Sequence, residues 1–215
     1  MRAKAMDPNT HDEPQRLIGI WLAYEGELRA ALARVVLVAC CYAAQLLNYT
    51  VFAERTEVAV QFHRQATYVA AGWLFVSLAV LVALTRRWLP LWLKYLTQTI
   101  DVVLLTLLAS LGSGPQSPLV TMYFVLIAFA ALRCDLVLLW YGTLSAMAGY
   151  LFLVAVNDPT WFDPDHTTPL IEQMVTYLAL GATGVIAGQL VRMMRQVTET
   201  QPMRQAYNAN SGERN

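Results

Sequence analysis

Residues 119–156 read LVTMYFVLIAFAALRCDLVLLWYGTLSAMAGYLFLVAV, with Arg133 and Asp135 the only charges in the run. As one helix at 1.5 Å per residue it would extend about 57 Å, nearly twice the roughly 30 Å of hydrocarbon in a bilayer. It must therefore fold back on itself, and Arg133-Cys134-Asp135 is where charge permits the turn. Two spans result, over 119–132 and 136–156. The first is short at about 21 Å, so it thins the bilayer or borrows flanking residues.

Outward from this run, further apolar stretches cover 35–52, 68–84, 96–111 and 174–191. The 215-residue chain is 57% hydrophobic and 14% charged, against roughly 45–50% and about 25% in soluble domains. The expected fold is an all-α, polytopic membrane bundle of six transmembrane helices. Fifteen basic residues balance fifteen acidic ones, so no basic surplus exists to neutralise phosphates and nucleic acid is not an expected partner. The first sixteen residues are polar and lack the apolar core of a secretory signal peptide.

Orientation follows from the basic residues. With the amino terminus inside, thirteen Lys and Arg fall on the cytoplasmic side and only Arg55 and Arg64 fall outside. A missed span would invert everything downstream, so both termini are expected in the cytoplasm and the chain in a bacterial inner membrane. Residues 1–14 read as a polar leader. Residues 15–33 carry Leu17, Ile18, Trp21, Leu22, Leu28 and Leu32 at helical spacing among charges. That segment suits an amphipathic helix in the membrane interface, or a helical lead-in to the first span. Residues 34–193 form the membrane domain and 194–215 a short cytoplasmic tail, expected to be disordered beyond Val197.

Three histidines (His11, His63 and His166) lack a second ligand at metal spacing, and no nucleotide loop or nucleophile elbow is present. The chain is expected not to be an enzyme. Asp101 is the one carboxylate well inside a span. It has to face protein, and Thr97 and Gln98 on its own helix face are its expected donors. It is either a proton-sensitive or ligand-facing group or a polar tie between helices. Gly181, Gly184 and Gly188 mark a close-packing face on the last span, for another span or for a second copy. Leu190, Met194 and Val197 continue an apolar seam beyond the membrane. Cys40, Cys41 and Cys134 are expected to be buried small hydrophobes.

From Asp101 to Tyr150 the order is Asp101, Thr106, the loop Gly112-Ser113-Gly114-Pro115-Gln116-Ser117-Pro118, Tyr123, Arg133, Tyr141 and Tyr150. This resembles the membrane input region of bacterial six-span sensor histidine kinases. In the redox-responsive branch of that family an outer loop of pattern Gly-Gly-x-x-Asn-Pro-Phe is associated with ubiquinone. Here Gly114 and Pro118 match it, whereas Ser113, Ser117 and Leu119 depart. The resemblance implies a ligand site at Asp101, Gly114, Ser117 and Pro118, with a quinone as its candidate ligand. Similar membrane anchors also precede nucleotide cyclases.

The 22 residues after Met193 contain no phosphoacceptor His and no nucleotide-binding box. The expectation is an input module, embedded in the lipid bilayer, that speaks to a separate cytoplasmic signalling protein. The alternatives are an accessory or assembly subunit of a larger membrane complex, and a small transporter. The transporter would require a second buried charge facing Asp101. Arg34 and Glu172 are expected nearer the membrane surfaces.

Overall fold

The computed structural model describes residues 12–52, 56–86, 92–112, 114–157 and 170–212. These residues are all-helical apart from turns. The helices are α1 (Asp12–Leu47), α2 (Glu57–Thr85), α3 (Leu93–Leu111), α4 (Met122–Leu132), α5 (Leu136–Asn157) and α6 (Leu170–Gly212). A π-helical turn, Asn48–Phe52, extends α1, and two 3₁₀ turns, Gly114–Gln116 and Pro118–Thr121, lead into α4. Helices suit this composition because hydrocarbon offers no partner for a free backbone group.

Among the described residues, five helices are long and apolar enough to cross a membrane: Gly26–Val51, Ala59–Thr85, Leu93–Leu111, Leu136–Val156 and Leu170–Gln196. The other apolar segment, Pro118–Leu132, is shorter, reaching about 22 Å even if helical throughout. The chain reverses where the charges predict, since α4 stops at Leu132 and α5 starts at Leu136.

Burial separates the helices into an inner and an outer set. The inner set is α3, α4 and α5. Tyr123, Ile127 and Ala130 of α4 and Leu138, Leu139, Ala146 and Leu153 of α5 are wholly buried. The outer set turns one stripe inward and leaves the rest exposed. On α2 the buried residues are Ala66, Trp73, Ser77 and Leu84, seven, four and seven positions apart, which is one helix face. On α6 the stripe is Leu180, Gly184, Gly188 and Val191. The outward side carries Ile171, Leu178 and Ile186 on α6 and Tyr68 and Phe75 on α2.

The inward glycines of α6 meet α5. A Cβ on Gly184 would collide with the Thr143 side chain. Gly181 faces Met147, and Gly188 faces Leu136 and Leu139. The GxxxG pair is thus occupied by α5 and is not on the face open to a second copy. Gly149 of α5 plays the same part against α3, where a Cβ would lie 2.7 Å from Val102 Cγ1.

Three expectations are corrected. Residues 15–33 are not a separate helix, because α1 runs unbroken from Asp12 to Leu47. The chain beyond Val197 is helical to Gly212 rather than disordered, since extending a formed helix avoids the cost of nucleating one. Cys40 is exposed and Cys41 half-buried, because an apolar helix among lipids has apolar residues on its outer face too, and Cys134 is exposed because it lies in the turn between α4 and α5. The expectations for the leader 1–11, His11, His166 and Arg55 lie outside the described residues.

Gly184→Leu is expected to destabilise the bundle by about 1–3 kcal/mol through overpacking against Thr143. Gly72, which has open space around it, should accept Ala with unchanged or raised stability, since Ala is the better helix former. Thermal unfolding of both variants in one detergent checks the contrast.

Candidate functional site

Asp101 stands eight residues from the start of α3 and ten from its end, or about 12 and 15 Å along the axis. Its expected donors do not serve it. Thr97 Oγ1 donates to the Lys94 carbonyl at 3.0 Å, and Gln98 Nε2 donates to the Leu126 carbonyl at 3.3 Å. A helical hydroxyl finds its own backbone first. The partners of Asp101 come instead from two other helices. Trp73 Nε1 of α2 donates to Asp101 Oδ1 at 2.9 Å. Arg34 Nη2 of α1 lies 2.7 Å from Asp101 Oδ2, both side chains being 2% exposed.

Arg34 is the second buried charge that sequence reasoning did not find. An apolar stretch that begins at residue 35 puts this arginine at a membrane boundary. The span instead begins at Gly26, and Arg34 lies two turns inside it. The signal available was the apolar run Ala30, Ala31, Leu32 and Ala33 before the arginine.

A second charged centre lies in the turn between α4 and α5. Arg133 Nε pairs with Glu27 of α1 at 3.3 Å. Its Nη1 donates to the Lys94 carbonyl at 3.1 Å and its Nη2 to Thr97 Oγ1 at 3.4 Å, both on α3. Cys134 has a φ of 51°, a left-handed conformation uncommon outside glycine. Its carbonyl accepts from Arg195 of α6, from Nη2 at 2.6 Å and Nε at 3.1 Å. Asp135 pairs with Lys94 and accepts from the backbone N–H groups of Val137 and Leu138 at 3.0 and 3.3 Å. It thereby caps the start of α5. Three consecutive residues thus hold α1, α3, α5 and α6.

The partial burial of Asp135 alone would raise its pKa. The Lys94 hydrogen bond, the Leu138 and Val137 N–H groups and the Lys94 charge outweigh that, and hold it below the ordinary aspartate value. A carboxylate depressed by folding contributes stability above its unfolded pKa, and that contribution is lost as pH falls through the folded value.

The remaining expected ligand residues lie elsewhere. Gly114, with φ 59°, forms the turn that follows α3. Ser117 is buried; its N–H donates to the Gly114 carbonyl at 3.0 Å and its Oγ accepts from Leu119 N at 3.3 Å. Pro118 opens the second 3₁₀ turn. This loop closes on itself at the end of α3, about 15 Å along the axis from Asp101. The four residues do not converge. Beside it, Thr106 Oγ1 and Tyr123 Oη lie 2.7 Å apart, buried between α3 and α4. At the end of the α1–α2 pair, Tyr49 stacks on His63 with ring centroids 4.0 Å apart.

No family model, curated protein or solved structure matches this chain.

Asp101→Leu leaves Arg34 as an uncompensated buried charge and is expected to cost about 3–5 kcal/mol, whereas adding Arg34→Leu should recover much of that loss. Unfolding of the single and double variants measures the coupling. Acidification below the ordinary aspartate range should remove the stabilising share of Asp135, and Asp135→Asn should flatten that limb of the stability–pH curve.

Proposed function

We propose that the chain is a signal-input module of a bacterial cytoplasmic membrane, with six spans and both termini in the cytoplasm, passing its state to a cytoplasmic partner through α6. One observation carries this reading. α6 runs without interruption from its membrane segment to Gly212, about 64 Å in all, while Arg195 within it grips the turn that also binds α1 and α3. A shift of α1 or α3 therefore pulls on a rod that leaves the membrane, which is how a small displacement reaches a distant partner. Pro118–Leu132 supplies the sixth span, its shortness met by local thinning of the bilayer. Even with Arg34 removed, because it lies within the first span, the basic residues divide twelve to two and support the orientation.

A small transporter is the second reading, favoured by the Arg34–Asp101 pair, since buried ionisable residues in membrane helices commonly mark ion pathways. Ion or solute uptake by reconstituted vesicles that disappears in Asp101→Asn would select it.

Topology is checked in a Cys40→Ser/Cys41→Ser background. Cys134 is expected to react with an impermeant thiol reagent only after the cells are opened, and a cysteine at exposed Gln116 in intact cells. Labelling of Cys134 from outside overturns the orientation. For transmission, a spin label at position 199 should change its spectrum when Asp101→Asn is introduced. Two glycines inserted after Arg195 should abolish that change without loss of thermal stability. An identical response with and without the insertion rejects the transmitting helix and favours an accessory subunit.

A further inference from the structure

Within the bundle, α3 carries one polar stripe. Lys94, Thr97, Gln98 and Asp101 fall three, one and three residues apart, and the last three are buried. Lys94 and Thr97 belong to the turn centre through Arg133 and Asp135. Asp101 belongs to the interior pair. Gln98, 0% exposed, lies between them along the helix.

Several hydrogen-bonding atoms of this stripe are unmet. Among the described residues, Gln98 Oε1 and Arg34 Nε are buried without a hydrogen-bond partner, and Arg133 Nε has the Glu27 ion pair but no aligned hydrogen bond. Buried polar groups are almost always paired, and ordered water is the usual partner where protein supplies none. Donors on Arg34 and an acceptor on Gln98, one turn from a carboxylate, are the chemistry that holds water.

We infer that Asp101 is a proton-binding site that exchanges with the side of the membrane bearing the 133–135 turn, through water held along Thr97, Gln98 and Arg34. The proton arrives as hydronium at the turn, passes along the waters and bonds to Asp101 Oδ2, and one water is returned for each hydronium consumed. The guanidinium groups orient the water and do not carry the proton, since arginine stays protonated. The groups facing Asp101 are the Arg34 guanidinium from α1 and the Trp73 indole from α2, with the Arg133 charge also acting on it from the turn. Glu27 and Asp135 stand behind Arg133 and Lys94.

Neutralising Asp101 removes the countercharge of Arg34 while Arg133 remains nearby. Proton uptake thus drives the Arg34 side chain, and α1 with it, away from α3. The inference deepens the proposed input function by naming its signal. It is stated relative to the turn, so it does not depend on which side of the membrane the turn occupies.

The test uses the full chain in vesicles whose orientation is fixed beforehand by the reactivity of Cys134. Infrared spectra are recorded after acid jumps from neutral to mildly acidic pH on one side at a time. A protonated-carboxyl band should appear on acidifying the turn side and be absent in Asp101→Asn. The Arg34→Gln/Asp101→Asn variant, which buries no net charge, serves as a second control should the single variant fold poorly. Gln98→Leu should reach the same band height at a rate lower by about tenfold, the equivalent of one lost hydrogen bond. A band that never appears, or that survives in both Asp101 variants, overturns the proton site. Faster access from the opposite side, or an unchanged rate in Gln98→Leu, overturns the route. Cys134 labelling reports the orientation separately, so an error there is read apart from either failure.

Discussion

A guanidinium and a carboxylate face each other inside an apolar bundle, and the rest of the molecule is arranged around that contact. Arg34 and Asp101 are each intolerable alone in this environment, so α1 and α3 cannot slide past one another without separating the charges. The Trp73 indole occupies the other carboxylate oxygen and brings α2 into the same constraint. Three helices thereby share one register. A purely hydrophobic interface would hold them together nearly as well, yet would allow neighbouring registers at similar energy.

The other half of the bundle is fixed by a different device. α4 is short, with five of its eleven residues buried, and small residues let α5 approach both α3 and α6. Gly149 admits Val102 and Thr106, and Gly184 admits Thr143. Lipid offers no hydrophobic gradient between helices, so this closeness supplies the dispersion contacts that hold the half together. The two halves meet at Arg133, Cys134 and Asp135, whose partners lie on α1, α3 and α6. The left-handed conformation at Cys134 presents its carbonyl to Arg195.

The position of this turn was legible in the sequence, because two charges in an otherwise apolar run leave only one place for a reversal. The close-packing role of Gly184 was legible too, since a missing side chain on a membrane helix has few other uses. The partner of Asp101 was not. Hydropathy treats a basic residue near the end of an apolar stretch as a boundary, and a side chain paired across helices gives no local signal. Thr97 and Gln98 were mistaken for donors because sharing a helix face with Asp101 does not free a hydroxyl or amide from nearer backbone carbonyls. The loop residues Gly114, Ser117 and Pro118 were grouped with Asp101 by resemblance, whereas the length of α3 keeps them apart. Exposed Cys40 shows the same limit, as lipid-facing and core-facing positions have one composition.

The two charged centres differ in a way that bears on mechanism. The turn centre is only partly buried at Lys94 and Asp135, with side-chain exposures of 23% and 26%, so water can replace a broken contact there at small cost. The Arg34–Asp101 pair, 2% exposed on each side, is cut off from bulk water and is reached only by the internal waters proposed along Thr97 and Gln98. Its separation must be coupled to movement of a whole helix or to loss of one charge. α3 bears both centres on one face, and α6 touches the turn centre through Arg195. On the proposed input reading, a disturbance at the interior pair reaches the yielding one along a single rigid helix. There it meets α6, the helix that extends beyond the membrane segment. On that reading, a dry interior pair and a partly exposed turn centre give the bundle a direction, from the interior of the membrane towards the tail.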